Sequence, residues 1–258
     1  MQESMQTFVR IYFRRLGLLL LGLVIILCGW FVWSNYDYRV AVREAKAAGF
    51  EWEAQEPADL IKNDWHAIFD RHIWNSAFRS LSIRDVSDLR SYRKLIHRLQ
   101  PTEMLIEGSD NGEMNILKGL DSLRILSLGH CPKLQNLNAL VEVPRLGSIE
   151  CVDCPDLENL DGLKSASELT NLKIVFCQKL RSVDGLKNIS TLLNLSLNEC
   201  PALRNIDALK GLRGLIKLAL YKTPNISMKA LSELRAALPS TDIVLPDGTE
   251  SPAPNTRQ

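Results

Sequence analysis

With 258 residues and 31 basic against 30 acidic side chains, the chain has room for one large domain or two small ones, and it lacks the concentrated positive charge that a phosphate backbone requires. Nucleic acid is therefore not an expected partner. Hydrophobic residues make up 46%, ordinary for a globular protein, but they gather in one early uncharged run and a leucine-rich second half.

Leu16 to Trp33 are eighteen residues without a charge, about 27 Å as a helix at 1.5 Å per residue, close to the thickness of a bilayer core. Phe8, Tyr12 and Phe13 precede the run, and Trp30, Phe31, Trp33, Tyr36 and Tyr38 mark its far end, where amphipathic rings favour headgroups. A buried soluble helix would keep a polar face, which this run lacks. A cleaved signal needs paired small residues at its cut site, and that pattern is missing after Leu27; that leucine also spoils a lipidation motif at Cys28. Retention as a single-pass anchor is expected. Arg10, Arg14 and Arg15 favour a cytoplasmic tail over residues 1–15 and an extracytoplasmic remainder. Arg39, Arg43 and Lys46 match them in number, so only the adjacency of Arg14 and Arg15 tips the balance.

Residues 34–101 show helical spacing, with Trp65, Ile68, Phe69, His72, Ile73 and Phe78 in one stretch and Leu89, Tyr92, Leu95, Ile96 and Leu99 in the next. Two or three amphipathic helices are predicted as a stalk and cap. Asn63 or Asp64 would cap the first and Ser87 the second, and Pro101 would close the set. His66, Asp70 and His72 do not converge as metal ligands, because the histidines are six apart and share no helix face.

From residue 102 to 246 the chain repeats with a period of 23. Leu123, Leu146, Leu169, Leu192 and Leu215 begin five copies; Leu126, Ile149, Leu172, Leu195 and Leu218 follow, then Leu128, Cys151, Ile174, Leu197 and Leu220. Next come Cys131, Cys154, Cys177, Cys200 and Thr223, and then Leu134, Leu157, Leu180, Leu203 and Ile226. Alternation around the second and third columns predicts a short strand, and the wider spacing after it a return. One coil cannot bury its own leucines, but stacked coils place each column over its copies. A weaker copy, with Leu105, Met114 and Leu117 one period before Leu128, Leu137 and Leu140, is expected at the start. At the end, a helix from Met228 to Ala237 capped by Ser227 should lead to Leu238 and Ile243. Residues 247–258, polar and proline-rich, are expected to be disordered.

The pattern LxxLxLxx(C/T)xxL resembles leucine-rich repeats, and its return is nearest to bacterial internalin-like repeats. Cysteine stands in four copies where that family usually has asparagine. The resemblance implies an α/β solenoid whose parallel strands line a concave face, here preceded by the transmembrane helix and the helical stalk. It further implies a protein ligand on that face. Outward positions there include Gly129, His130, Glu150, Asp153, Lys173, Val175, Phe176, Ser196, Asn198, Glu199, Tyr221 and Lys222. Phe176, Val175, Tyr221, Asn198, Asp153 and His130 are the candidate binding residues, with the two aromatics as anchors.

Cys151 and Cys154 form CxxC, which opens an alternative reading as a thiol- or metal-dependent enzyme. The repeat accounts for both, one as a core substitution and one as a member of the cysteine column, so free buried thiols are expected. Asp161, Asp184 and Asp207 recur below Asn138; a calcium ladder is conceivable, but backbone capping with Lys164, Lys187 and Lys210 offsetting their charge is simpler. No nucleophile motif, phosphate loop or cofactor motif stands out, and no cofactor or metal is expected. The expected function is recognition or envelope scaffolding by a membrane-anchored protein. The reverse orientation, with repeats in the cytoplasm, would suit the free cysteines.

Overall fold

A computed structural model describes residues 36–54, 79–84, 89–110, 112 and 114–251. The expected span from Leu16 to Trp33 with its preceding tail lies outside the described residues, as do the helix expected near Trp65 to Phe78, the candidate caps Asn63, Asp64 and Ser87, and the trio His66, Asp70 and His72. No helix among the described residues is long and apolar enough to cross a membrane. The chain divides into two compact units, Met1–Glu44 and Ala45–Gln258. Of the first, residues 36–44 are described and helical.

Among the described residues the second unit is organised by one sheet in which ten strands follow each other in chain order. These are β1 (Glu51–Ala54), β2 (Arg79–Arg84), β3 (Glu103–Glu107), β4 (Ile125–Gly129), β5 (Ser148–Val152), β6 (Asn171–Val175), β7 (Asn194–Asn198), β8 (Lys217–Ala219), β9 (Asp242–Val244) and β10 (Glu250–Ser251). From β2 to β9 every pairing is parallel, while β1 and β10 add antiparallel edges. Parallel neighbours need a long crossover, and the rest of each repeat supplies it. These returns contain short 3-10 turns, Leu89–Tyr92, Asn115–Leu117, Asn138–Glu142, Asp161–Leu163, Asp184–Leu186 and Asp207–Gly211.

Packing follows from the strand alternation. In β5 and β7 every second side chain is buried, with Ile149 over Leu172 and Cys151 over Ile174 across the ladder. The column leucines Leu126, Leu146, Leu157, Leu169, Leu180 and Leu203 are fully buried, each contributing about 1.5–3 kcal/mol. Coils approach so closely that a Cβ on Gly162 would lie 1.9 Å from the Leu137 carbonyl oxygen, and one on Gly185 would lie 1.9 Å from that of Leu160. Glycine here is a requirement of coil spacing.

The ends depart from the expected register. From β4 to β8 each step is 23 residues, as in Leu126 opposite Ile149, but Ile106 pairs with Leu128, a step of 22. Leu105 therefore stands opposite Ser127 on the outer face, and Met104 and Ile106 are the buried residues. One residue fewer between Ile106 and Met114 moves Leu105 across the pleat. Met114 and Leu117 are buried as expected.

The segment 34–101 is only partly helical. Residues 36–47 are helical. A 3-10 turn, Leu89–Tyr92, leads into helix Arg93–Leu99, which ends where Gln100 turns left-handed at φ 47° just before Pro101. But β1 and β2 belong to the sheet, because Leu81 and Ile83 alternate with polar residues and cover β3. At the other end, helix Met228–Ala237 is capped by the Ser227 hydroxyl, which accepts from the Ala230 N–H at 3.2 Å. Structure then continues past residue 246, where the tail was expected to be disordered. Residues 247–251 complete the β9–β10 hairpin, and the Arg235 guanidinium donates to the carbonyls of Leu238, Thr241 and Ser251.

Candidate functional site on the open sheet face

Side chains pointing away from the buried columns form ladders across the strands. Ser148, Asn171, Asn194, Lys217 and Asp242 are in register at the strand starts, and Glu150, Lys173, Ser196, Ala219 and Val244 two residues on. Together with Glu250 they line a trough of about 670 Å³ running from β5 to β9. Lys173 closes on Glu150 at 2.6 Å. Asn194 donates to Asn171 at 2.8 Å, and Asn171 to the Thr170 hydroxyl at 2.9 Å.

A further column follows the strands and forms one rim. His130, Asp153, Phe176, Glu199 and Lys222 all have positive φ, from 49° to 59°, and Gly108 holds the same place one coil earlier. The left-handed region costs an L-residue about 1–2 kcal/mol. Their backbone N–H groups offset it by extending the ladder: His130 donates to Val152 O at 3.0 Å, Asp153 to Val175 O at 2.9 Å, Phe176 to Asn198 O at 3.2 Å and Glu199 to Tyr221 O at 2.8 Å. The side chains they present are charged or aromatic. His130 lies between Glu107 at 3.7 Å and Asp153 at 3.6 Å, too far for direct hydrogen bonds, while Lys222 pairs with Glu199 at 3.2 Å.

The anticipated anchors are both solvent-accessible. Phe176 is 41% exposed and Tyr221 38%. They differ in support: the Lys222 ammonium sits 5.2 Å from the Tyr221 ring centre, and the Asn198 carboxamide oxygen accepts the Tyr221 N–H at 3.1 Å. Asn198 thus continues the ladder where β8 stops. Val175 and Asn198 are half-buried beside the rim, Asp153 and His130 lie on it, and Gly129, expected to face outward, is buried. The first outward ladder, Ser148 to Asp242, lies outside the outward positions expected from the repeat. The same period-two alternation, carried one step toward the strand start, reaches it.

The thiols face the other way. All five described cysteines are free and buried. Those of the column donate to a carbonyl two residues back, Cys131 to Gly129 at 3.3 Å, Cys154 to Val152 and Cys177 to Val175 at 3.7 Å, and Cys200 to Asn198 at 3.3 Å. Burial raises Cys151 well above the ordinary thiol range, Cys177 to about 12 and Cys200 to about 11. A hydrogen bond between the Cys131 and Cys154 thiols, with burial, raises Cys154, and the same bond draws Cys131 down. Thiol chemistry needs an accessible thiolate, so the CxxC pair is poorly placed for it.

The acidic column also has a different role from capping. The groups that accept at these turns are two residues earlier: Asn159 from the Asp161 N–H, Ser182 from Asp184 and Asn205 from Asp207. A side chain two residues back reaches the N–H in an Asx- or Ser-type turn, leaving the aspartates exposed. Asp161 pairs with Lys164 at 2.9 Å and Asp207 with Lys210 at 2.7 Å. Among the described residues no group of histidine, cysteine, aspartate and glutamate could hold a metal ion.

The fold is that of an internalin-like leucine-rich repeat protein. The chain is similar to internalin C2 of Listeria monocytogenes, at 20% identity and a TM-score of 0.53, over 64% of this chain and 69% of that one. It is also similar to the internalin inlF of the same species, at 16% identity and a TM-score of 0.50, over 64% of this chain and 59% of that one. No protein-family model and no curated protein matches the sequence.

Proposed function

We propose that this chain is a membrane-anchored recognition protein that binds a protein partner on the open face of its repeat sheet. The observation that carries this reading is the left-handed rim. Gly108 performs the same backbone task at no steric cost, yet five successive coils keep a charged or aromatic side chain there. Strain retained at an exposed position beyond what folding requires is a mark of function. The repeat pattern supports the class of function, since partners of leucine-rich repeats commonly dock on the strand face.

The anchor in this proposal is residues 16–33, with residues 1–15 cytoplasmic and the repeats on the opposite side, for the sequence reasons given. Protease added to intact cells should then degrade the repeats. Their protection would place them in the cytoplasm.

Recognition is tested by cross-linking and pull-down from intact membranes. Phe176→Ala should weaken capture of the cross-linked partner at least tenfold, since a truncated interface aromatic can cost about 2 kcal/mol or more. Lys164→Ala, at the exposed acidic column on the return, should leave capture unchanged. Equal loss from both changes overturns strand-face recognition.

A further inference from the structure

We infer that Pro252, Ala253 and Pro254 of this chain lie along the groove between helix Met228–Ala237 and the β9–β10 hairpin and close the last coil. This stands apart from the recognition role of the open face, since it concerns the end of the solenoid. The groove encloses about 200 Å³. One wall is the helix face Met228, Leu231, Ser232 and Arg235, spaced i, i+3, i+4 and i+7; the other is built from Ile243 of β9 and Ser251 of β10. Met228, 79% exposed, is the most exposed large apolar side chain among the described residues. A last coil has no neighbour to cover such a face, and a repeat array needs its outer end closed.

The occupant follows from where the hairpin hands on the chain. Ser251 forms part of the groove, and its carbonyl accepts from the Arg235 guanidinium. The peptide plane is rigid, so that bond also aims the next nitrogen, that of Pro252. Pairing stops there for a chemical reason: Ser251 lies opposite Ile243, and Pro252 has no N–H for a further rung. A residue before proline is held extended, which carries the chain along the groove rather than back over the hairpin.

Length and chemistry agree. From Arg235 to Met228 the helix face is about 10 Å long at 1.5 Å per residue, and three residues in a polyproline conformation cover about 9 Å. Two proline rings supply apolar surface for Met228 and Leu231, and their fixed φ leaves little backbone freedom to lose. Polyproline has no internal hydrogen bonds, so its carbonyls stay turned to water and an apolar groove suits its rings. The residues that follow, Asn255, Thr256 and Arg257, are polar, as befits positions past the Met228 end.

The test uses the full chain in detergent micelles with photoreactive benzoylphenylalanine at position 255, just past the docked segment. Irradiation of mixed isotopically heavy and light chains, read by mass spectrometry, should link position 255 to Met228 within single chains. Ser232→Trp fills the groove while leaving Met228 available, and should lower the yield of that link about tenfold. Pro252→Ser combined with Pro254→Ser, which alters no residue of the described coils, should lower it similarly and decides the matter should Ser232→Trp fail to fold. Removing residues 252–258 should speed amide exchange in residues 228–238 about tenfold, the effect of about two methylene groups returned to water. Exchange in β4 to β7 should stay as it was.

Absence of the link overturns the inference. Links between heavy and light chains at Met228 would make a second copy the occupant and overturn it too. A link insensitive to both sets of substitutions reflects only the tether at Ser251 and counts against docking, as does exchange unchanged by removal of residues 252–258.

Discussion

The middle of the solenoid and its two ends achieve the same fold by different means. Between β4 and β8 every step is 23 residues and each buried side chain lies over its counterpart, so stability comes from repetition. Toward the ends the step changes to 22 residues, from Ile106 to Leu128, and to 25, from Leu218 to Ile243. There the cysteine column gives way to Ser109 and Thr223, both fully buried, and the Thr223 hydroxyl donates to the Leu220 carbonyl. The last coil is fastened by one guanidinium on three carbonyls. Columns suffice where a coil has two neighbours. A coil with one neighbour needs individually placed hydrogen bonds and an antiparallel edge strand, and β1 guards its edge with Glu51 and Glu53, both exposed.

The largest effect should separate these regions directly. Leu172→Ala removes a buried side chain with coils on both sides, leaving a cavity that neither can close, and should lower global stability by about 2–5 kcal/mol. Ile243→Ala removes comparable volume from the last coil. Its damage should instead open residues 242–251 locally, read as faster amide exchange there with a smaller change in the urea midpoint. Uniform exchange across all coils in both variants would show that the ends are not energetically separate.

A milder test addresses the return. Gly162→Ala sets a methyl against the Leu137 carbonyl at 1.9 Å and should cost about 1–3 kcal/mol as the coils are forced apart. Gly147→Ala, whose nearest contacts would be 3.7 and 3.8 Å, should be tolerated. Equal urea midpoints for the two variants would remove close coil spacing as the reason for glycine at 162.

This contrast also explains what could be read from the sequence. Repetition exposed the central coils, since five copies of one pattern outvote any local ambiguity, and Cys151 could be placed in the core because leucine or isoleucine holds its column elsewhere. The ends offered no copies to vote. Leu105 reads as an inward residue because a single missing residue leaves the apolar pattern intact while flipping the pleat. In β2 only Leu81 and Ile83 carry the alternation, too short a signal beside the helical spacing that follows. At the site, Glu150, Lys173 and Ser196 followed from the strand period. The left-handed rim was invisible, because His130, Asp153, Phe176, Glu199 and Lys222 include no glycine or asparagine to announce positive φ.

The cysteine column ties central stability to pH. Cys177, pushed up to about 12, and Cys200, up to about 11, hold their protons in the folded chain at pH values where unfolded thiols have lost them. The unfolded state then binds fewer protons, so stability falls as pH rises; it is fully present below the unfolded value near 8.5 and declines between about 9 and 12. At pH 10 each such thiol should cost on the order of 1–2 kcal/mol. Urea midpoints from pH 7.5 to 10.5 should show this slope, and Cys200→Thr, borrowing the residue used at position 223, should flatten it. A slope unchanged by the substitution would remove the column as its cause.

The smallest effect concerns what sets the junction between the two regions. Lys133 in the first regular coil reaches Asp110 in the shortened one at 3.1 Å, with side chains 63% and 55% exposed. Because water and salt screen so open a pair, Lys133→Ala should change stability by roughly 0.2–1 kcal/mol, and that difference should shrink as ionic strength rises. The Ile106–Leu128 contact beneath it is buried and fixes the 22-residue step without help from charge. A loss comparable to that of Leu172→Ala, undiminished by salt, would mean that the ion pair rather than the apolar column aligns the first regular coil on its irregular neighbour.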